Sequence, residues 1–223
     1  YGNPKMKKKV AILGSTGSIG KSLIKIILKD KKKFKIVLLT ANKNINLLLK
    51  QAIKLNADNV IVKDKKSYDK AKPLFIKHKI NIYNDYNNLK KIFKKKVDYS
   101  MSSIVGLDGL FPTIQIIKYT KNIAVANKEA IICGWNIIKK KLTSNKTNFI
   151  PVDSEHFSIW KSLNGLKSNN IKQIILTASG GPFFNTSIRK IKKIKTSEAI
   201  KHPNWKMGKK ISVDSATMMN KVF

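Results

Sequence analysis

Short apolar runs alternate with amphipathic stretches along most of this chain. Runs rich in Val and Ile, which are typical of buried strands, occupy residues 10–13, 34–40, 59–62, 80–83, 97–102, 122–126, 148–152 and 171–177. Between many of these runs, apolar residues recur three and four positions apart, as they do on the buried face of a helix. This spacing predicts helices over residues 18–29, 44–56, 87–96, 107–119 and 128–141.

Near-continuous apolar strands that alternate with amphipathic helices indicate a mainly parallel sheet covered by helices on both faces. We therefore predict an α/β fold. After about Phe149 the pattern changes, and Ser, Gly, Trp and Met fall in irregular segments, so we place a domain boundary there. The predicted domains span residues 1–149 and 150–223, and residues 1–5, which precede Met6, are expected to lie outside the native start.

The chain is strongly basic, with 46 Lys plus Arg against 12 Asp plus Glu and a formal net charge of +34. Such a charge is typical of proteins that bind nucleic acid or anionic membranes. However, Arg189 is the single arginine, and base recognition relies heavily on the planar fork of arginine. The lysines are also scattered along the whole chain. We therefore attribute the high lysine content to a drift in amino-acid composition that is unrelated to function. A basic nucleic-acid-binding protein is kept as an alternative.

Other function classes are excluded by simple features. The apolar run after Lys7, Lys8 and Lys9 breaks at Gly14, which is too short for a secretory signal, and no run approaches the ~18 residues of a membrane span. The single cysteine, Cys133, cannot form an internal disulfide, and no zinc signature is present. We expect a cytoplasmic protein with neither a membrane nor a nucleic-acid partner.

The sequence GSTGSIG at residues 14–20 follows the first predicted strand and opens the first predicted helix. In this context glycines permit a tight turn and let the backbone approach a pyrophosphate at the helix N-terminus. The glycine spacing differs from the common dinucleotide fingerprint, so an ordinary glycine-rich turn remains the alternative. After the second predicted strand, Asn42, Lys43 and Asn44 stand where NAD sites usually carry an acid, and a cation there suits the 2′-phosphate of NADP.

Two further segments carry polar side chains that could act on a ligand. Asp153 and Glu155 follow a predicted strand, and they could either bind Mg²⁺ or Mn²⁺ or form the acidic first turn of a helix. His156, beside them, is interpreted as a structural residue. Downstream, Ser179 precedes two glycines at a predicted strand end, which is a natural anion cradle.

Taken together, these segments resemble the 1-deoxy-D-xylulose 5-phosphate reductoisomerase family, the NADPH enzymes of the non-mevalonate isoprenoid route. The matching segments, in the family's order, are GSTGSIG at 14–20, ANKEA at 126–130, PVDSEH at 151–156, TASGGPF at 177–183, HPNWKMG at 202–208 and KISVDSATMMNK at 210–221. This agreement favours metal binding over helix capping for the acidic pair. It also implies that the first domain is a Rossmann-type NADPH domain and that the second is an α/β catalytic domain with a flap.

The resemblance further implies a role for individual residues. The cofactor would be held by Gly14, Thr16, Gly17, Ser18, Ile19, Lys43, Asn44, Asn127, Glu129 and Gly208. The sugar phosphate would be bound by Lys128, Ser154, Ser179, His202, Trp205, Met207, Ser215, Asn220 and Lys221. The residues closest to the chemistry would be Lys128, Asp153, Glu155 and His202, with Asp153 and Glu155 as ligands of Mg²⁺ or Mn²⁺.

The implied reaction converts 1-deoxy-D-xylulose 5-phosphate to 2-C-methyl-D-erythritol 4-phosphate by rearrangement and reduction, in a protein that is a homodimer at full length. Two departures from the family pattern matter. Asn42 replaces a common glycine, and Val222 and Phe223 replace the Gly-Leu that precedes the family's third metal-binding Glu. We therefore expect a fragment without the C-terminal helical domain, with weak metal binding and little turnover. Another NADP-dependent Rossmann dehydrogenase is the remaining alternative.

Overall fold

The computed structural model of the protein describes residues 6–167, 170–204 and 208–222. The chain forms two compact units, residues 1–153 and 154–223, and the division lies just beyond β7 (Asn148–Pro151).

The first unit is built on seven parallel strands. They are β1 (Lys8–Leu13), β2 (Phe34–Ala41), β3 (Asn59–Val62), β4 (Asn81–Tyr83), β5 (Val97–Ser102), β6 (Thr120–Val125) and β7. The helices between them are α1 (Ser18–Lys29), α2 (Ile45–Leu55), α3 (Lys65–Lys77), α4 (Leu89–Ile92), α5 (Leu110–Ile117) and α6 (Lys128–Ser144). This arrangement confirms the predicted parallel α/β domain.

The strand order in the sheet is β4-β3-β2-β1-β5-β6-β7. The chain therefore builds outward from β1 in one direction as far as β4, and then returns to the other side of β1 with β5. The connections on either side of this reversal diverge, which leaves a crevice beyond the carboxyl ends of β1 and β5. In an open parallel sheet this crevice is the usual ligand site.

Both faces of the sheet are buried, and the alternation of side chains along β1 shows how. Val10 and Ile12 pack in a cluster with residues of α1, α2 and α3, whereas Ala11 and Leu13 pack in a second cluster with residues of α4, α5 and α6. These side chains are at most 3% exposed. Burial on both faces explains why the strands read as apolar runs instead of alternating apolar and polar positions.

Two helices depart from the sequence pattern. The apolar stripe does not reveal α3, because this helix is largely polar and buries just Ala71 and Phe75. The helix expected over residues 87–96 is shorter and consists of a 3-10 turn, Tyr86–Asn88, followed by α4. The other predicted helices and the first seven predicted strands are confirmed within a few residues at their ends.

The second unit contains α7 (Ser154–Leu163), α8 (Ile188–Ile191), α9 (Thr196–Ala199), α10 (Lys209–Ala216) and α11 (Met219–Val222). The predicted strand over residues 171–177 is wrong, since this segment has no regular structure and leaves Ile174 and Ile175 56% and 71% exposed. A strand needs a neighbour for its backbone groups, and the described residues of this unit supply none.

Among the described residues, no helix combines the length and apolar character that crossing a membrane requires.

One hydroxyl in the sheet is buried without a partner. Ser100 pairs with Ala11 and Ile123 in the neighbouring strands, and its Oγ makes no hydrogen bond to any described residue. We expect Ser100→Ala to raise the free energy of unfolding by about 1 kcal/mol, because a desolvated hydroxyl is removed. Ser102→Ala is the matched control and should be destabilising, since Ser102 Oγ lies 2.6 Å from Thr113 Oγ1. Denaturant unfolding of both variants measures the difference, and equal losses of stability would contradict it.

Tyr86 predicts a response to alkaline pH. Burial raises the pKa of its phenol to about 12, from 10.0, despite a hydrogen bond to Thr40. Between these values the unfolded chain releases the phenolic proton and the native protein keeps it, so stability is lost as the pH rises. We expect the free energy of unfolding to fall more steeply from pH 10 to pH 12 in the unsubstituted protein than in Tyr86→Phe. Parallel curves would show that Tyr86 does not contribute.

Candidate active site

The glycine-rich loop connects β1 to α1 in the crevice beside β5. Gly14 has a φ of 80°, a conformation that favours glycine, and a Cβ there would lie 3.0 Å from the backbone of Ser103. A side chain at Gly20 would overlap the carbonyl oxygen of Gly14. Two of the glycines therefore let the loop, β5 and α1 approach one another closely.

The exposed part of this loop is suited to an anion. Thr16 and Gly17 are partly exposed, and Ser18 and Ile19 are exposed. Gly17 occupies the position before α1, and no described side chain caps this helix end. The amide groups of the first turn and the positive end of the helix dipole are thus available to a pyrophosphate, as the sequence predicts.

The loop after β2 contains the residues predicted to lie near the adenosine phosphate. Lys43 is exposed, and Asn44 caps α2 by accepting a hydrogen bond from the amide of Leu47 at 3.2 Å. Asn42 is also exposed, and its carbonyl accepts a hydrogen bond from the amide of Asp64. Lys43 therefore presents a positive charge at the end of β2, the strand next to β1.

Asn127, at the end of β6, has a structural role. It is 2% exposed, its Oδ1 accepts from the amide of Ala130 at 2.8 Å, and its Nδ2 donates to the carbonyls of Ile104 and Gly106. The side chain thus holds the loop after β5 to the start of α6. The neighbouring Glu129, also predicted to line the cofactor site, is partly buried in the first turn of α6.

Lys128 and Asp153 form an ion pair in the first unit. Lys128 Nζ lies 2.9 Å from Asp153 Oδ2, and the two side chains are 28% and 20% exposed. Lys128 extends from the start of α6, and Asp153 follows β7, which pairs with β6. Parallel pairing therefore brings a predicted substrate-binding lysine to a predicted metal-binding carboxylate.

A second ion pair of the same kind lies in the second unit. Lys221 Nζ is 2.5 Å from Glu155 Oε1, and the Lys221 side chain is 10% exposed. The hydroxyl of Ser154 donates to Glu155 Oε2 at 2.7 Å. The two pairs leave each predicted metal-binding carboxylate balanced by a lysine. Within the described part of the chain, no group of three or more His, Cys, Asp or Glu side chains could hold a metal ion.

Three of the predicted phosphate-binding residues meet in the second unit. Ser179 Oγ lies 3.1 Å from His202 Nε2 and 3.3 Å from Ser215 Oγ. His202 Nδ1 accepts a hydrogen bond from the amide of Asn204, so the neutral ring carries its proton on Nε2, directed at Ser179. Gly181 has a φ of 64°, and a Cβ there would lie 2.6 Å from the Ser215 carbonyl oxygen. The glycine lets these segments pack together.

Of the other predicted residues, two are placed by their positions at or in the helices of the second unit. Gly208 precedes α10, and Asn220 is partly buried in α11 beside Lys221. Trp205 and Met207, predicted to close over the substrate, lie outside the described residues.

Two residues that attach the glycine-rich loop to β2 and α2 were not among the predicted site residues. Thr40 and Gln51 are buried and hydrogen-bonded to Gly14 and Ser15. The available signal was Gln51 itself, which is a polar side chain on the otherwise apolar face of α2.

Comparison with known proteins gives consistent results for both units. The family model of 1-deoxy-D-xylulose 5-phosphate reductoisomerase matches residues 10–134, and the model of the C-terminal domain of this enzyme matches residues 149–223. The reductoisomerase of Pelagibacter ubique is 58% identical, over 97% of this chain and 56% of its own length. That of Wolbachia pipientis from Culex pipiens is 44% identical, over 96% of this chain and 55% of its own length.

Solved structures show the same relationship. The reductoisomerase of Zymomonas mobilis in complex with NADPH is 32% identical, with a TM-score of 0.84 over 97% of this chain and 56% of that one. A reductoisomerase in complex with NADPH, fosmidomycin and magnesium is 32% identical, with a TM-score of 0.80 over 96% of this chain and 55% of that one. The chain thus spans just over half the length of these relatives. On the family model that matches most of its first unit and on these relatives, the chain belongs to the 1-deoxy-D-xylulose 5-phosphate reductoisomerase family.

Proposed function

We propose that this chain supplies the NADPH-binding and sugar-phosphate-binding residues for conversion of 1-deoxy-D-xylulose 5-phosphate to 2-C-methyl-D-erythritol 4-phosphate. The observation that carries the proposal is the glycine-rich loop at the strand-order reversal, in a chain that belongs to this family. Family membership also removes the reason to prefer another NADP-dependent dehydrogenase or a basic nucleic-acid-binding protein.

The first unit would bind the cofactor. The uncapped start of α1 offers amide groups to the pyrophosphate, and the exposed Lys43 offers a positive charge to the adenosine 2′-phosphate. NADPH is supported further by the relatives that were solved with it. The cofactor supplies the hydride for the reduction. The protein's part is to fix the position of the bound dinucleotide through the loop.

The second unit would bind the phosphate group of the substrate. Ser179 and Ser215 can donate through their hydroxyls, and His202 directs an N–H toward the same place. Ser215 is 3% exposed, so its hydroxyl is held in position by the surrounding protein. A phosphate arriving here would replace the mutual contacts of these side chains with charge-assisted hydrogen bonds, which are stronger.

Asp153 and Glu155 fit a divalent cation in kind, because Mg²⁺ and Mn²⁺ prefer carboxylate oxygens. Such an ion acts as a Lewis acid on carbonyl and hydroxyl oxygens. Lys128 and Lys221 balance the charge of the two carboxylates, and each lysine could turn to an anionic or hydroxyl-bearing substrate when a cation takes its place. The magnesium in solved relatives supports this assignment.

The remaining parts of the proposal concern the whole protein. A small phosphorylated substrate as the main partner, a homodimer at full length, a cytoplasmic location, and the absence of nucleic-acid and membrane partners all rest on the family resemblance and the sequence pattern.

The proposal is tested by NADPH oxidation with 1-deoxy-D-xylulose 5-phosphate and Mn²⁺. The chain should be compared with a form extended past Phe223 to the length of its relatives, and turnover is expected mainly in the extended form. In that form, Asp153→Asn should lower kcat by about 100-fold or more, because a charged ligand of the metal is lost. Asp69→Asn, which removes the same charge from exposed α3, is the matched control. No turnover in either form would overturn the proposed substrate.

The phosphate site predicts a separate effect. In the extended form, Ser179→Ala should raise the KM for the sugar phosphate by about tenfold, because one hydrogen bond to the phosphate is lost. The dissociation constant for NADPH should be unchanged. Steady-state kinetics and a fluorescence titration with NADPH separate the two quantities. A KM equal to that of the unsubstituted enzyme would argue against a role for Ser179 in phosphate binding.

A further inference from the structure

Gln51 is a buried polar residue with no role in the proposed chemistry. It lies on the face of α2 that also buries Leu48, Ala52 and Leu55, and it is 7% exposed. Burying a side-chain amide is unfavourable unless its hydrogen bonds are made. Both ends of the Gln51 amide are in fact paired, and both pair with one residue.

That residue is Ser15, in the glycine-rich loop. Ser15 Oγ donates to Gln51 Oε1 at 2.8 Å, and Gln51 Nε2 donates to the Ser15 carbonyl oxygen at 3.0 Å. Ser15 is completely buried, in contrast to Thr16, Gly17, Ser18 and Ile19, which follow it. Gln51 therefore holds the loop at its buried residue and makes no contact with the exposed residues that would face a ligand.

The loop has a second attachment, to β2. The amide of Ser15 donates to the Thr40 carbonyl oxygen at 2.9 Å, and the amide of Gly14 donates to Thr40 Oγ1 at 2.9 Å. The Ser15 hydroxyl also lies 3.2 Å from the Thr40 carbonyl oxygen, so backbone and side-chain contacts with Thr40 together fix the start of the loop to the sheet. The Gln51 contacts add a connection to α2, which Thr40 does not provide.

Helix α2 links two regions that the proposed function assigns to one cofactor. Its N-terminus follows Lys43 and is capped by Asn44, near the expected adenosine phosphate, and Gln51 lies two turns farther along. One helix therefore begins beside the expected adenosine-phosphate site and, through Gln51, also holds the loop expected to bind the pyrophosphate. A loop that is already ordered loses less conformational entropy when the ligand binds.

We propose that Gln51 is a positioning residue for NADPH, which acts through Ser15 to hold the glycine-rich loop in its binding geometry. This inference rests on the proposed function, because it assumes that the loop binds the pyrophosphate. It assigns the positioning to a side chain outside the segments that carry the family resemblance.

The test is the dissociation constant for NADPH in Gln51→Met, which keeps the length and burial of the side chain and removes both hydrogen bonds. We expect binding to weaken by about tenfold, with NADH weakened by the same factor because both cofactors share the pyrophosphate. Lys43→Met should instead weaken the binding of NADPH and leave the binding of NADH unchanged. In the extended form, Gln51→Met should raise the KM for NADPH and leave the KM for the sugar phosphate unchanged.

Leu55→Ala is the matched structural control. Leu55 is 4% exposed on the same face of α2, and its truncation should lower the free energy of unfolding without changing the dissociation constant for NADPH of the folded protein. If Gln51→Met does not fold, Gln51→Leu provides the comparison, since it also removes both hydrogen bonds and places no negative charge beside the pyrophosphate loop. Weaker NADPH binding by Gln51→Leu, with NADH binding weakened by the same factor, supports the proposal.

Three outcomes would overturn the inference, and they separate its failure from that of the proposed function. If the unsubstituted protein binds NADPH and the Gln51 variants bind it equally well, Gln51 is a purely structural residue and the proposed function stands. The same conclusion follows if Leu55→Ala weakens NADPH binding as much as Gln51→Met does. If the unsubstituted protein binds no NADPH in either the given or the extended form, the proposed function and this inference both fail.

Discussion

The central position of β1 determines where ligands can bind. β1 pairs with β2 on one side and with β5 on the other, and the chain reaches β5 only after it has built outward to β4. The loop that leaves β1 therefore enters the crevice between diverging connections. The close approach of Gly14 to Ser103, the attachment of Ser15 to Thr40 and the direction of α1 all follow from this placement.

The sheet could be predicted from sequence because burial on both faces makes its central strands recognisable as apolar runs. Its central strands contain short apolar runs, such as residues 10–13 in β1 and 36–39 in β2, and glycines mark the turn into α1. Helix α3 escaped the prediction because two buried residues, Ala71 and Phe75, do not make a recognisable stripe. The run over residues 171–177 was misread for the opposite reason. It has the composition of a strand, but strand formation depends on a neighbour that local sequence does not reveal.

Within the candidate site, the sequence predicts residues but does not predict the side chains that they contact. Family motifs indicated Asp153, Glu155, Lys128 and Lys221, but nothing in their spacing predicted that each carboxylate would pair with a lysine. Asn127 is predicted to line the cofactor site, and its three hydrogen bonds hold the loop after β5 to the start of α6. Such contacts depend on tertiary packing, which brings together residues far apart in the chain.

The exposed apolar segment at residues 171–177 has a consequence for the colloidal behaviour of the chain. Ile174 and Ile175 expose β-branched side chains to solvent, and such surfaces are a common starting point for self-association. The net charge of +34 acts against this, because like-charged molecules repel one another over roughly 10 Å at 0.1 M salt. Salt shortens the range of that repulsion and leaves the apolar attraction in place, so ionic strength decides whether the molecules stay apart.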